Sequence, residues 1–158
     1  MKKSGTFFVI GTLALLIAVS SFYSGHAKNS ATTISQDTIK YKDGIYVGQS
    51  QDSYTDEPYW GKAELTISNG LVTGVRFTIR DSSIHEEFNE GYKKHFEGNE
   101  LYIQQCINDS KGVITYPKLL LKSMDINKVD ATTGATWSYN IFKGSVNDAL
   151  KKAGKRPE

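Results

Sequence analysis

Apolar and polar residues alternate twice in the middle of the chain. Ala63, Leu65 and Ile67 interleave with Glu64, Thr66 and Ser68, and Val75, Phe77 and Ile79 interleave with Arg76, Thr78 and Arg80. A period of two puts each apolar set on one face of a strand. Between the two runs lies Asn69-Gly70, a pair that tolerates positive φ and closes tight antiparallel turns. The pattern predicts a hairpin with one apolar face. Gly74 marks a bulge or a close backbone approach. Upstream, residues 41–48 read as a turn and a short first strand, and residues 49–59 as a polar loop punctuated by Pro58.

After Asp81 the period lengthens. Phe88, Tyr92 and Phe96 are four apart, the spacing that stacks side chains on one helical face. Gly98 ends that helix. Residues 101–107 read as a second short helix, Gly112 falls in the break after it, and Pro117 opens the first turn of a third, running to about Met124. Residues 129–132 read as a short strand. Phe142, Ser145, Val146, Ala149, Leu150 and Ala153 form the buried stripe of a last helix. Ser138 suits its N-cap, Lys151 and Lys152 suit the negative end of its dipole, and Gly154 suits the position after its end. Strands followed by helices predict an α+β domain: an antiparallel sheet with a hairpin, packed against several helices.

Two regions precede that domain. Lys2 and Lys3 are basic, residues 5–22 carry no charge, and small residues follow at Gly25 and Ala27. The order reads as an export signal cut after Ala27, or as a retained membrane anchor, since the uncharged run is just short of the ~20 residues that span a bilayer. Residues 28–40 are a polar linker, which leaves residues 41–154 for the folded domain. Of 19 basic and 17 acidic residues, the segment to Ala27 holds only Lys2 and Lys3, so the remainder carries 17 of each sign. A neutral domain has no general attraction for nucleic acid. Cys106 is the lone cysteine; it can form no internal disulfide and reads as a buried, inert thiol. Nothing in the spacing of His85, His95 and the neighbouring glutamates makes them converge on a metal, and they read as solvated charge.

The run Asp130-Ala131-Thr132-Thr133-Gly134-Ala135-Thr136-Trp137-Ser138-Tyr139 carries the candidate chemistry. Thr136 sets a hydroxyl at or just before a helix start, after two residues with almost no side chain. Gly134 and Ala135 let a bulky group approach the backbone. The helix start offers unpaired N–H groups and a positive dipole end, a geometry that favours phosphate. The same residues also suit a plain turn and cap, with Asp130 bonding its own backbone.

The run resembles the flavinylation motif of the FMN-binding domain family: an Asp, two variable residues, Ser or Thr, then Gly-Ala-Thr. Asp130 matches the acid, Thr133 the hydroxyl residue, and Gly134-Ala135-Thr136 the rest. The opening Tyr41, Asp43-Gly44, Tyr46 and Gly48 is similar to the start of that domain, and the resemblance runs from about Tyr41 to Ala153. It implies FMN joined by a phosphoester to Thr136, placed there by an FAD:protein FMN transferase. Asp130 would shape the turn or assist the transferase, and Trp137 and Tyr139 would either stack on the flavin or pack in the core. It further implies a carrier rather than an enzyme with its own substrate. Such a carrier would be exported to the outer face of the cytoplasmic membrane or secreted, and fed by a membrane reductase or quinone pool. Residues 82–87 lack the Thr-Pro-Gly-rich loop of the larger redox-complex members, which suggests a small stand-alone carrier. The other reading is an exported binding module of the same fold without covalent flavin.

Overall fold

A computed structural model describes residues 41–50 and 57–154, all within the unit Ser35–Glu158. The leader, residues 1–27, and the linker, residues 28–40, lie outside the described residues. Among the described residues no helix is long and apolar enough to cross a membrane.

Four antiparallel strands form one sheet in the order β1 (Gly44–Gln49), β2 (Tyr59–Ser68), β3 (Leu71–Asp81) and β4 (Glu86–Glu87). The predicted hairpin is β2–β3, with Asn69 and Gly70 at φ 54° and 78°. The chain's opening latches its turn. Asp43 Oδ1 accepts the Gly70 N–H at 2.8 Å, and the Tyr41 N–H donates to the Gly70 carbonyl at 3.0 Å. The register slips between Thr66 and Ile67, opposite Gly74, where a bulge was expected. Strands reach further into the expected loop than polarity indicates: Gln49 pairs with Lys62, and Tyr59 with Asp81. Residues 51–56 of that loop lie outside the described residues.

Two helices cover the sheet, α1 (Glu100–Ser123) along β3 and α2 (Thr136–Ala153) across β1 and β2. Ala63, Leu65, Ile67, Phe77 and Ile79 are buried with Ile141, Phe142, Val146 and Ala149 of α2. Phe142 joins the layers: its ring lies edge-on to Phe77 at 5.0 Å and stacks on Tyr116 of α1 at 5.6 Å. Contact with β1 is backbone on backbone, since a Cβ added at Gly48 would lie 2.1 Å from the Ser145 carbonyl oxygen. The outer edge of β1 is also covered. Asp148 accepts the Gln49 N–H at 2.9 Å, and Lys152 donates to the Val47 carbonyl at 2.8 Å.

Several expected elements differ. Residues 101–107 and 117–124 are not two helices but parts of one continuous α1, 24 residues long, with Pro117 inside it. A mid-helix proline costs roughly 3 kcal/mol. Tyr116 and Leu120, both almost wholly buried, keep the helix seated on the core on either side of Pro117. Gly112 is no break; it is where α2 crosses, and a Cβ there would meet Ser138 Oγ at 2.6 Å. Helix α1 ends at Met124, whose φ of 55° is left-handed.

The aromatic stretch is a 3-10 helix, Glu90–Phe96, capped by Asn89, which accepts the Gly91 N–H. Phe88 therefore precedes the helix instead of sharing its face. Residues 129–132 form no strand among the described residues: the Val129 N–H turns back to the Ile126 carbonyl at 3.3 Å. The start of α2 is also shifted. Thr136 is its first residue, Ala135 stands at the N-cap without a capping side chain, and Ser138 lies inside the helix.

Candidate functional site

The motif is a loop held at three points, by a buried tyrosine, a half-buried tyrosine and a buried aspartate. Tyr139 Oη donates to the Val129 carbonyl at 2.6 Å and fixes the loop's start. Tyr116 Oη donates to the Ala135 carbonyl at 2.8 Å and accepts the Thr132 N–H at 3.1 Å, so one hydroxyl ties both ends of the turn. Gly134 sits at φ +77°, and a Cβ there would lie 2.7 Å from Asn108 Nδ2. Both facts call for glycine.

The third hold replaces the missing N-cap. Asp109 of α1, 1% exposed, accepts the Ser138 N–H at 3.0 Å and the Ser138 hydroxyl at 2.8 Å on Oδ1. Gln105 donates to its Oδ2 at 2.7 Å. A carboxylate at a helix start satisfies a donor and complements the dipole, and hydrogen bonds at both oxygens offset its desolvation. This leaves the first two N–H groups of α2, at Thr136 and Trp137, without a hydrogen-bond acceptor among the described residues. Thr136 is exposed, and its hydroxyl makes no hydrogen bond among the described residues. Asp130, Thr132 and Thr133 are exposed too. Because the Thr132 N–H goes to Tyr116, Asp130 does not close the turn that the plain-cap reading assigns it.

Beside this start lies an open, largely apolar cavity of about 540 Å³, within the ~300–1,000 Å³ typical of small-molecule sites. Tyr59, Phe88, Phe96, Tyr102 and Trp137 form its aromatic walls. Trp137 meets Tyr59 edge-on at 5.2 Å and Phe88 at 5.0 Å, so it is at once part of a packed cluster and part of the wall. Tyr139 is an anchor beneath the loop and does not line the cavity. Behind the wall, Tyr59 Oη lies 3.0 Å from Tyr92 Oη, and Tyr92 donates to buried Asp81. Burial raises both tyrosines above their usual range. Burial works to raise Asp81 too, but hydrogen bonds from Ser83, Tyr92 and the Ile84 backbone outweigh it and hold the carboxyl low. Cys106 lines the cavity as well; burial and then the Asp109 charge push its thiol up to about 11, so it stays neutral. His95 points away to Glu86, at 2.9 Å.

The sequence profile described as "FMN-binding domain" matches residues 59–151, more than half the chain. The chain belongs to the FMN-binding domain family. Its cofactor is FMN, and the chain has the expected α+β architecture, a sheet packed against helices. No curated protein matches the chain. Among solved structures it is similar in fold to the crystal structure of the CPE2226 protein from Clostridium perfringens. That likeness has a TM-score of 0.57 and 23% identity, over 72% of this chain and 88% of that one. A solution structure from Clostridium thermocellum aligns at 17% identity and a TM-score of 0.45, over 74% and 95% of the two chains.

The FMN-binding domain carries features that fit the group. A flat aromatic ring system finds π walls, and a phosphate finds two uncommitted N–H groups at a helix start beside an exposed hydroxyl. Of the candidates Asp130, Thr133, Gly134, Ala135, Thr136 and Trp137, Trp137 lines the cavity, the Gly134 carbonyl lies 3.5 Å from the Gln105 amide of its wall, and Thr136 precedes Trp137 at the end of the same turn. Ala135 is buried beneath it as the carbonyl that Tyr116 holds, and Asp130 and Thr133 lie on its exposed outer part. Sequence reasoning missed Asp109, Gln105 and Tyr116. The available signal was an acid on an apolar helical face: Cys106, Asp109, Tyr116 and Leu120 are all buried on α1. Ending that helix at Ile107 concealed it.

Proposed function

We propose that this FMN-binding domain is an extracytoplasmic electron-transfer protein carrying FMN through a phosphoester on Thr136. The observation that carries the reading is the exposed, unbonded Thr136 hydroxyl, set at a helix start with two uncommitted N–H groups and bordered by an aromatic cavity. For attachment, the Thr136 oxygen attacks the flavin-side phosphorus of FAD. The bond to AMP breaks, AMP departs, and the hydroxyl proton goes to solvent, with the FAD:protein FMN transferase as catalyst. When bound, the flavin supplies reversible uptake and release of electrons.

The chain's own residues bind and orient. The Thr136 and Trp137 N–H groups receive phosphate oxygens, Gly134 clears the approach, and the aromatic walls hold the ring and exclude water. The basic and apolar leader directs the domain out of the cytoplasm, where a covalent tether prevents loss of a cofactor that could not be recovered. A membrane reductase or the quinone pool is the electron source. Intact mass tests the reading: the full-length chain co-expressed with the transferase gains one FMN less one water. Thr136→Ala abolishes the gain and Thr133→Ala keeps it. An unmodified wild type would refute the reading and leave the binding-module alternative.

A further inference from the structure

Asp109 does more than cap a helix. It is a buried carboxylate in the wall of the aromatic cavity, and among the described residues no cationic side chain bonds it; its partners are the Ser138 N–H, the Ser138 hydroxyl and the Gln105 amide. Capping does not require its charge, because an asparagine oxygen accepts the same Ser138 bonds. The charge is therefore a separable property, placed where water is excluded and electrostatic effects are large.

We infer that Asp109 sets the reduction potential of the bound flavin, its fixed negative charge disfavouring electrons on the ring, with Gln105 moderating that charge. The inference rests on FMN occupying this cavity. Two-electron reduction with uptake of one proton leaves the ring one negative charge richer than before. A carboxylate in the wall opposes that gain, and neutralising it removes the opposition. Gln105, also in the cavity wall, acts in the other sense: its amide donates to Asp109 Oδ2 at 2.7 Å and offsets part of the carboxylate's charge. Replacing that donor by an apolar side chain of similar length leaves the carboxylate less compensated. The two residues touch, yet their variants shift the potential in opposite directions.

The test uses full-length wild type, Asp109→Asn and Gln105→Met, each co-expressed with the transferase. The flavin-bearing fraction, identified by intact mass, is titrated with dithionite as reductant against a reference dye at fixed pH. Asp109→Asn moves the potential to a more positive value, and Gln105→Met moves it to a more negative one. Equal potentials for wild type and Asp109→Asn overturn the inference. Shifts of the same sign in both variants, the mark of a generally loosened cavity, overturn it too. Should Asp109→Asn fail to fold, Gln105→Met decides alone: a negative shift supports the inference, and no shift or a positive one refutes it. A wild type without flavin removes the site itself, a failure the mass separates from the electrostatic one.

Discussion

Tyr116→Phe removes a single oxygen atom, and that atom holds both ends of the turn that precedes α2. The Tyr116 side chain is wholly buried; its hydroxyl donates to the Ala135 carbonyl at 2.8 Å and accepts the Thr132 N–H at 3.1 Å. The ring itself is retained, so its stack on Phe142 persists. Each lost hydrogen bond is worth about 1 kcal/mol net. The Ala135 carbonyl keeps the Tyr139 N–H at 3.1 Å, and the exposed Thr132 can turn to water, so neither group is left stranded at the higher cost of an unsatisfied buried atom. The expected destabilisation is therefore about 2 kcal/mol, lowering the melting temperature by roughly 5–10 °C. Urea unfolding reads this as a lower midpoint at unchanged slope. On the proposed attachment, flavin transfer to Thr136 slows in parallel, because the turn that presents the hydroxyl loses its shape while the hydroxyl itself remains. A change below about 0.5 kcal/mol, with transfer at the wild-type rate, would show that the hydroxyl does not organise the loop.

Other perturbations probe the neighbouring features. Gly134→Ala forces a side chain into a left-handed conformation and toward Asn108; a loss of about 1–2 kcal/mol in urea midpoint, with reduced flavin incorporation, is expected. Gly48→Ala sets a methyl against the α2 backbone at 2.1 Å, which neither element can relieve by a rotamer change, so destabilisation of about 3 kcal/mol or insoluble expression follows. Asp81 has a folded pKa held below its unfolded value. Its contribution is fully present above about pH 4 and is lost as pH falls through the depressed folded value. Stability measured by urea between pH 6 and pH 3 in roughly half-unit steps should fall less steeply in Asp81→Asn than in wild type.

Local chemistry alone determined several parts of this protein. Alternation and the Asn69-Gly70 pair specified the hairpin, because a period of two and a turn with positive φ are properties of adjacent residues. The buried stripe of the last helix was equally plain, and the small residues Gly134 and Ala135 beside the Thr136 hydroxyl marked the turn that starts it. Tertiary structure decided the rest. Whether Gly112 and Pro117 break a helix depended on α2 crossing at the first and on a core gripping Tyr116 and Leu120 around the second. Ser138 looked like a cap only because the true capping group, Asp109, lies on another helix. The cavity is assembled from β2, the 3-10 helix, α1 and the start of α2, so no window of sequence contains it. Contacts between residues distant in sequence leave no periodic trace, whereas turns, stripes and caps made by neighbours do.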